Sequence, residues 1–525
     1  MLCAACEPWE WGVLRAGVWH LRKQVRQRLS EERGTLRKEA GLRIALCYPS
    51  PYPVGMSSLG FQTVYREIHA HQGATAERVF LPDSVGAYRS ARCPLFSYEG
   101  ERLPGDFEVI AFSISYELEI TGVFEILDLC GIPLLREERS GRYPLVIAGG
   151  PLTYANPLPL APFVDLIILG EAEGLIHEFL DAAAAMPRRA LLEHLAGLPG
   201  FYVPGLSGCL PPLGKAEDRM LPARSQIITR DSVLSSMFLI EPERGCSRGC
   251  AYCVMRRTTN GGMRLVPPET VLSHIPDDAR RVGLVGAAVT DHPGIKEVVR
   301  AIVKGGREVG ISSLRAERLD EELVGLLARG GYRTLTTASD GASQRLRDMV
   351  GRRTDEKDLI RAAQLARQFK LERLKLYQLV GLPGETVGDI EELMHLALDL
   401  SSIVALSLAV SPFVAKRNTP LDGSRFESIP SLQEKLARLR VGLRGKVDVR
   451  PASVRWAWVE YMLSQGDENA GRAAMDAWKA GGRLAAWQRA LKERGVKPGV
   501  RGPAPARWRK APGDPGSPMP EIEGV

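Results

Sequence analysis

The sequence predicts an α/β protein made of two successive parallel-sheet units and a small helical C-terminal region. Three observations predict it. Short, continuous apolar runs recur from Leu42 onward, separated by stretches of helical periodicity, the pattern of strands covered by helices on both faces. The alternation breaks at a Pro/Gly-rich stretch beginning Gly197-Leu198-Pro199-Gly200 and then resumes. After about Pro430 the apolar runs give way to helical spacing.

In order along the chain, residues 1–40 read as a basic helical arm, with Leu14, Val18, Leu21 and Val25 on one face. Residues 41–196 form the first unit, with strands expected at 44–47, 78–81, 109–112, 145–148 and 166–169. The turns after these strands are rich in small and polar residues, and ligands of such a sheet sit beyond the carboxyl ends of its strands. No Gly-x-Gly-x-x-Gly follows the first strand, which argues against a dinucleotide site. Residues 197–235 are expected to be a linker. The second unit spans 236–425, with strands expected at 237–241, 282–286, 311–315, 332–336, 373–379 and 404–410. Between the last two, Ile390, Leu393, Met394, Ala397 and Leu400 share one helix face. Residues 426–494 read as a helical cap in which most tryptophans form the core of a small bundle, and the Pro/Gly-rich residues 495–525 are expected to be disordered.

Composition narrows the function classes. Hydrophobic content of 45% and charged content of 25% describe an ordinary globular chain. The net charge of +7 is modest for 525 residues, and no Lys/Arg block is interleaved with aromatics, so a nucleic-acid partner is disfavoured. No uncharged apolar run approaches the ~18 residues of a membrane span. The first residues lack the charged-then-apolar order of a signal peptide. Nine cysteines without an export signal suggest a reducing cytoplasm. Cys3 and Cys6, with no partner pair nearby, read as ordinary thiols.

The run Glu243-Arg244-Gly245-Cys246-Ser247-Arg248-Gly249-Cys250-Ala251-Tyr252-Cys253 carries the chemistry. Three thiolates spaced by three and then two residues can curl around one iron–sulfur cube. Such cubes are normally held by four cysteines, so a triplet leaves one iron open for chemistry. A zinc site wants four ligands, and downstream of Cys253 there is no cysteine and only the scattered His274, His292 and His395. A disulfide pattern fails on odd number and close spacing.

With Tyr252 before its last cysteine, the triplet resembles the signature of the radical S-adenosylmethionine (SAM) superfamily. The resemblance implies a [4Fe-4S] cluster on Cys246, Cys250 and Cys253, with SAM chelating the open iron through its amino and carboxylate groups. Reductive cleavage of SAM then gives a 5′-deoxyadenosyl radical. It also implies that the second unit is a partial (β/α)6 TIM-type barrel with its site at the carboxyl ends of the strands, and that SAM is held by Gly286, Ala287, Arg315, Ser339, Asp340, Gly381 and Leu382. Many members have Gly-Gly-Glu where this chain has Gly286-Ala287-Ala288; the acidic residue is missing, and backbone carbonyls are expected to grip the methionyl amino group. The 411–420 segment at the sixth strand is typical of the cobalamin-associated branch.

The first unit resembles the Rossmann-like cobalamin-binding-type domain that precedes many radical SAM enzymes. This implies cobalamin contacts from Ser113, Tyr116, Glu117, Gly149, Gly150, Pro151, Gly170 and Glu171. No Asp stands two residues before a His anywhere in the chain, so the Asp-x-His lower-ligand signature is absent. The expectation is therefore a cobalamin-dependent radical SAM methyltransferase acting on an unactivated carbon of a small molecule or peptide, reduced by a flavodoxin or ferredoxin. The alternatives are a radical SAM cyclase, isomerase or oxidase without methyl transfer, and a non-catalytic cobalamin- or cluster-sensing protein.

Overall fold

The computed structural model describes residues 8–255 and 262–498. Cys3, Cys6 and nearly all of the tail expected to be disordered lie outside them.

The first unit is a six-stranded sheet of β1 (Leu42–Tyr48), β2 (Ala74–Phe80), β3 (Val109–Ser113), β4 (Leu145–Gly149), β5 (Leu166–Ile168) and β6 (Phe201–Tyr202). Its order is β2-β1-β3-β4-β5-β6, parallel except for β6, which runs antiparallel to β5. β3 is buried at every position, as a strand covered on both faces must be. Helix Leu59–Ala70, whose N-cap Ser58 accepts from the Phe61 N–H, packs against helix Ala172–Ala185 over one face. β2 begins four residues before its apolar run because it carries Thr75, Glu77 and Arg78, whose polarity hides it in the sequence. Arg78 is buried between Glu32 and Glu99.

The expected linker contains β6 and is strapped along the sheet edge. Gly214 donates to the Leu169 carbonyl at 2.8 Å, and the Leu169 N–H donates to Gly200 at 2.8 Å. The arm is helical over Pro8–Ser30 and stops well short of residue 40.

The second unit begins with β7 (Met237–Ile240), followed by a short antiparallel pair, β8 (Glu243–Gly245) and β9 (Met263–Leu265), which brackets the cysteine loop. Then come β10 (Arg281–Leu284), β11 (Glu308–Ile311), β12 (Thr334–Ala338), β13 (Arg373–Val380), β14 (Leu406–Pro412) and β15 (Asp448–Pro451). They form two parallel arcs, β11-β10-β7 and β12-β13-β14-β15. Between β11 and β12 no ladder closes; the Tyr332 hydroxyl bridges the gap, accepting from the Ile311 N–H at 2.7 Å and donating to its carbonyl at 3.0 Å. Helices Glu356–Gln368 and Val387–Ile403 start from capping boxes at Asp355/Asp358 and Thr386/Asp389.

Two expectations need correction here. The third strand of this unit ends at Ile311, so 312–315 is loop; the strand's own Glu308 and Gly310 weaken its apolar signal. β15 lies inside the region expected to be wholly helical, because a short, charged edge strand ending in Pro is defined by its partner β14 and not by its own pattern.

Helices Val454–Ser464, Glu468–Lys479 and Leu484–Glu493 return to the first unit. The Asn156 side-chain amide donates to the carbonyls of Leu463, Ser464 and Gly466, and Trp478 donates to Glu125 at 2.8 Å. Trp487 is buried, while Trp456 is exposed. No helix among the described residues is long and apolar enough to cross a membrane.

Candidate active site

The cysteine loop grows from the carboxyl end of β7. Gly245, with φ +96°, makes the left-handed turn that a side chain would disfavour, and the Cys246 N–H closes the loop onto the Gly262 carbonyl at 3.2 Å. Further along, the Ala251 N–H bonds the Val350 carbonyl and its own carbonyl accepts from Leu421. The loop is thereby sewn to the end of helix Gln344–Met349 and to the segment after β14. The Tyr252 hydroxyl donates to Asp340 Oδ2 at 2.6 Å, and Arg352 lies 3.2 Å from the same oxygen.

Cys246 is buried; its Sγ accepts from Arg315 Nη2 at 3.1 Å and from the Arg248 N–H at 3.4 Å. Burial pushes the Cys253 thiol up, so a bound metal must supply the charge that makes it a ligand. No three His, Cys, Asp or Glu side chains among the described residues converge on a single-ion position. Donors aimed at Cys246 Sγ are what a cluster-bound thiolate accepts.

The residues expected around SAM divide. Gly286 and Ala287 follow β10 beside the root of the cysteine loop. The Gly286 carbonyl, however, accepts from both the Ser312 and Ser313 hydroxyls, at 2.9 and 3.0 Å, and the Ala288 carbonyl accepts from the Asp291 N–H. The Gly286 carbonyl is thereby saturated, whereas the Ala288 carbonyl keeps one acceptor position. Arg315 gives Nη2 to Cys246 and lies 3.1 Å from Asp291 Oδ2, while its buried Nε makes no hydrogen bond among the described residues.

Ser339 is fully buried and donates to Gln378 Oε1 at 2.5 Å, while Asp340, at φ +61°, is held by Tyr252 and Arg352. Ser339 is thus bound to β13, and Asp340 braces the cysteine loop through Oδ2. Gly381, at φ +83°, approaches Leu432; a Cβ there would stand 2.8 Å from Leu432 Cδ2. Leu382 is buried. This turn packs on helix Ile429–Gly442, and the close approach its glycine permits is to that helix.

In the first unit, Ser113, Gly149, Gly150, Pro151, Gly170 and Glu171 line a slot of about 230 Å³ at the carboxyl end of the sheet. Its floor is apolar, with Leu59, Val64, Ile147 and Ile176, and no histidine lines it. Gly150 lies at φ +101°, and a Cβ there would stand 2.6 Å from the Ile114 carbonyl oxygen, so the turn after β4 requires glycine. Gly170, at φ +109°, lies equally close to Gly214 and serves the connector strap. Glu171 is not free: Arg264 and the Ala216 N–H hold it. Tyr116 and Glu117 stand outside the slot. Tyr116 is exposed, and Glu117 pairs at 2.7 Å with Lys416, which also reaches Glu460 at 2.7 Å.

Sequence reasoning missed the residues that join the two units. Arg244 Nη2 donates to Glu173 at 2.7 Å and to Glu241 at 2.8 Å, and Nη1 stands 3.4 Å from Glu171. Arg244 and Glu241 also line the slot. Their one signal was position, within five residues before Cys246. Lys416 lies in the 411–420 segment and Glu243 in the cysteine run, but nothing in the sequence pointed to their partners Glu117 and Glu460 or to the loop after β10.

Two family signatures match the chain: "Radical SAM proteins, N-terminal" over residues 60–204 and "Radical SAM superfamily" over residues 240–397. Among curated relatives, an uncharacterized protein of Methanocaldococcus jannaschii is 26% identical over 81% of this chain and 89% of its own length. An uncharacterized methyltransferase of Pyrococcus horikoshii is 21% identical over 52% of this chain, which spans 61% of that protein. Among solved structures, the radical SAM methyltransferase TsrM of Kitasatospora setae, with cobalamin and a [4Fe-4S] cluster bound, aligns at TM-score 0.50 and 15% identity, covering 73% of this chain and 74% of that one. The cobalamin-dependent SAM radical enzyme OxsB, with aqua-cobalamin and SAM bound, aligns at TM-score 0.51 and 13% identity, covering 87% of this chain and 62% of that one. These structural likenesses show a shared fold. With the two signatures together spanning more than half of the 525 residues, the chain belongs to the radical SAM superfamily of enzymes.

Proposed function

We propose that this enzyme is a cobalamin-dependent radical SAM methyltransferase acting on an unactivated carbon. One observation carries the reading: Glu241 and Arg244 are at once wall of the N-terminal slot and root of the cysteine loop, so two cofactor sites adjoin. The apolar, histidine-free slot suits the displaced nucleotide tail of a corrinoid whose lower cobalt face receives no histidine from this domain. The fold shared with TsrM and OxsB and the likeness to a methyltransferase of Pyrococcus horikoshii favour the same reading.

In this scheme the cluster and cobalamin supply SAM cleavage and methyl carriage. The protein does the rest. Cys246, Cys250 and Cys253 hold the cluster, Arg315 steadies the Cys246 sulfur, and Tyr252, Asp340 and Arg352 fix the loop. The Arg244 network holds the slot against that loop. Lys416, Glu117 and Glu460 tie the last barrel loop to the first unit and the C-terminal helices, closing the space between the two sites. The electron donor is a small reduced flavin or iron–sulfur protein.

The test is anaerobic reconstitution with iron, sulfide and hydroxocobalamin, followed by gel filtration and reduction in the presence of SAM. Retained corrinoid in near-equal ratio to protein and release of 5′-deoxyadenosine support the reading. Release of 5′-deoxyadenosine without retained corrinoid refutes the cobalamin half and favours radical chemistry without methyl transfer.

A further inference from the structure

Glu243 is the least explained charged group beside the cysteine loop. It is fully buried, and its Oε1 accepts the Ala288 N–H at 2.7 Å. Its Oε2 has no partner among the described residues. A buried polar atom without a partner carries a desolvation cost that native proteins retain for a reason.

The surroundings withhold a partner. The nearest cation, Arg315, gives Nη2 to Cys246 and lies 3.1 Å from Asp291 without hydrogen-bonding Glu243, and Glu241 and Asp291 add negative charge. Burial holds the Glu243 carboxyl well above its ordinary range, at about 7. The fold also makes room for it: a Cβ on Gly286 would collide with Oε1, so the glycine after β10 is needed for the carboxylate to reach its position. The Gly286 carbonyl, the neighbouring acceptor, is saturated by Ser312 and Ser313.

We propose that Glu243 Oε2 accepts a hydrogen bond from the amino nitrogen of SAM's methionyl end, positioning it against the cluster. Resting on the reading of this site as a SAM pocket, the assignment places the acidic contact on the strand before the cysteine loop instead of in the loop after β10. An N–H donor entering here satisfies the buried oxygen, and the ligand's positive charge offsets the local excess of carboxylates. Glu243 is a positioning residue.

The test is equilibrium dialysis of labelled SAM and of 5′-methylthioadenosine, which lacks the amino-acid end, against the anaerobically reconstituted full chain. For Glu243→Gln, SAM should bind roughly tenfold or more weakly, the scale of a lost hydrogen bond to a charged group, while methylthioadenosine binding and iron content stay unchanged. Gly286→Ala, which crowds the carboxylate without removing it, should show the same split. Equal weakening of both ligands by Glu243→Gln, or unchanged SAM binding, overturns the assignment and leaves the SAM pocket standing. A wild-type chain that holds iron but binds no SAM overturns the pocket itself and this assignment with it.

Discussion

Replacing Arg244 by Met tests whether the two cofactor sites are mechanically joined. The guanidinium is 11% exposed and bonds Glu173 and Glu241 at 2.7–2.8 Å. Removing one member of a buried ion pair leaves the others uncompensated, at about 3–5 kcal/mol. Glu171 keeps Arg264 and the Ala216 N–H, and Glu241 keeps the Ala223 N–H, so the lower end, about 3 kcal/mol, is expected. Hydrogen exchange read by mass spectrometry is the right assay, because a chain of several units opens locally before it unfolds globally. Peptides covering β8 and the turn after β5 should exchange about two orders of magnitude faster.

The effect has a pH sign. Burial already holds the Glu241 carboxyl above its ordinary value despite Arg244. An acid whose folded pKa is raised binds more protons folded than unfolded, so its contribution is retained below its ordinary pKa and lost as pH rises through the folded value. Loss of Arg244 raises that value further. The deficit should therefore widen as pH rises from the ordinary carboxylate range towards neutrality. Unchanged exchange in both peptides, or a deficit that shrinks with rising pH, refutes the coupling.

Three further outcomes are expected. Alanine at Cys246, Cys250 or Cys253 should each abolish cluster iron after reconstitution, whereas Cys209→Ser should not; iron and sulfide analysis checks both. Arg315→Gln should lower the cluster's midpoint potential in an EPR-monitored redox titration, since hydrogen bonds and positive charge at a ligating sulfur favour the reduced state; an unchanged potential would count against a cluster on Cys246. Gly60 lines the slot and a Cβ there meets nothing within 4 Å, so Gly60→Leu should keep or slightly raise the melting temperature, Leu being a better helix former, while abolishing corrinoid retention on gel filtration. Full retention would place the corrinoid elsewhere.

Much of this architecture was legible because continuous apolar strands and spaced thiols are local signals. β1, β3, β4, β5, β7, β13 and β14 begin within two residues of their apolar runs, apart from the short polar lead-ins. β2 and β15 were obscured because charged strands such as Thr75-Ala76-Glu77-Arg78 read as polar until Arg78 meets Glu32 and Glu99. In the site, position in the chain marked the right loops but not the right atoms. Ser339, Asp340 and Arg315 lie on the expected segments, and each side chain also bonds a residue the sequence did not pair it with: Gln378, Tyr252 and Cys246.

The sequence by itself determined the class of chemistry, since three thiols within eight residues constrain a cluster whatever surrounds them. It also determined the two-unit α/β order, because burial on both faces imposes its pattern on each strand separately. Only the tertiary structure decided which carboxylate stands unpaired beside that loop and which arginine locks it to the slot. Pairing depends on distances between segments far apart in the chain, where a charged residue carries no mark of its partner.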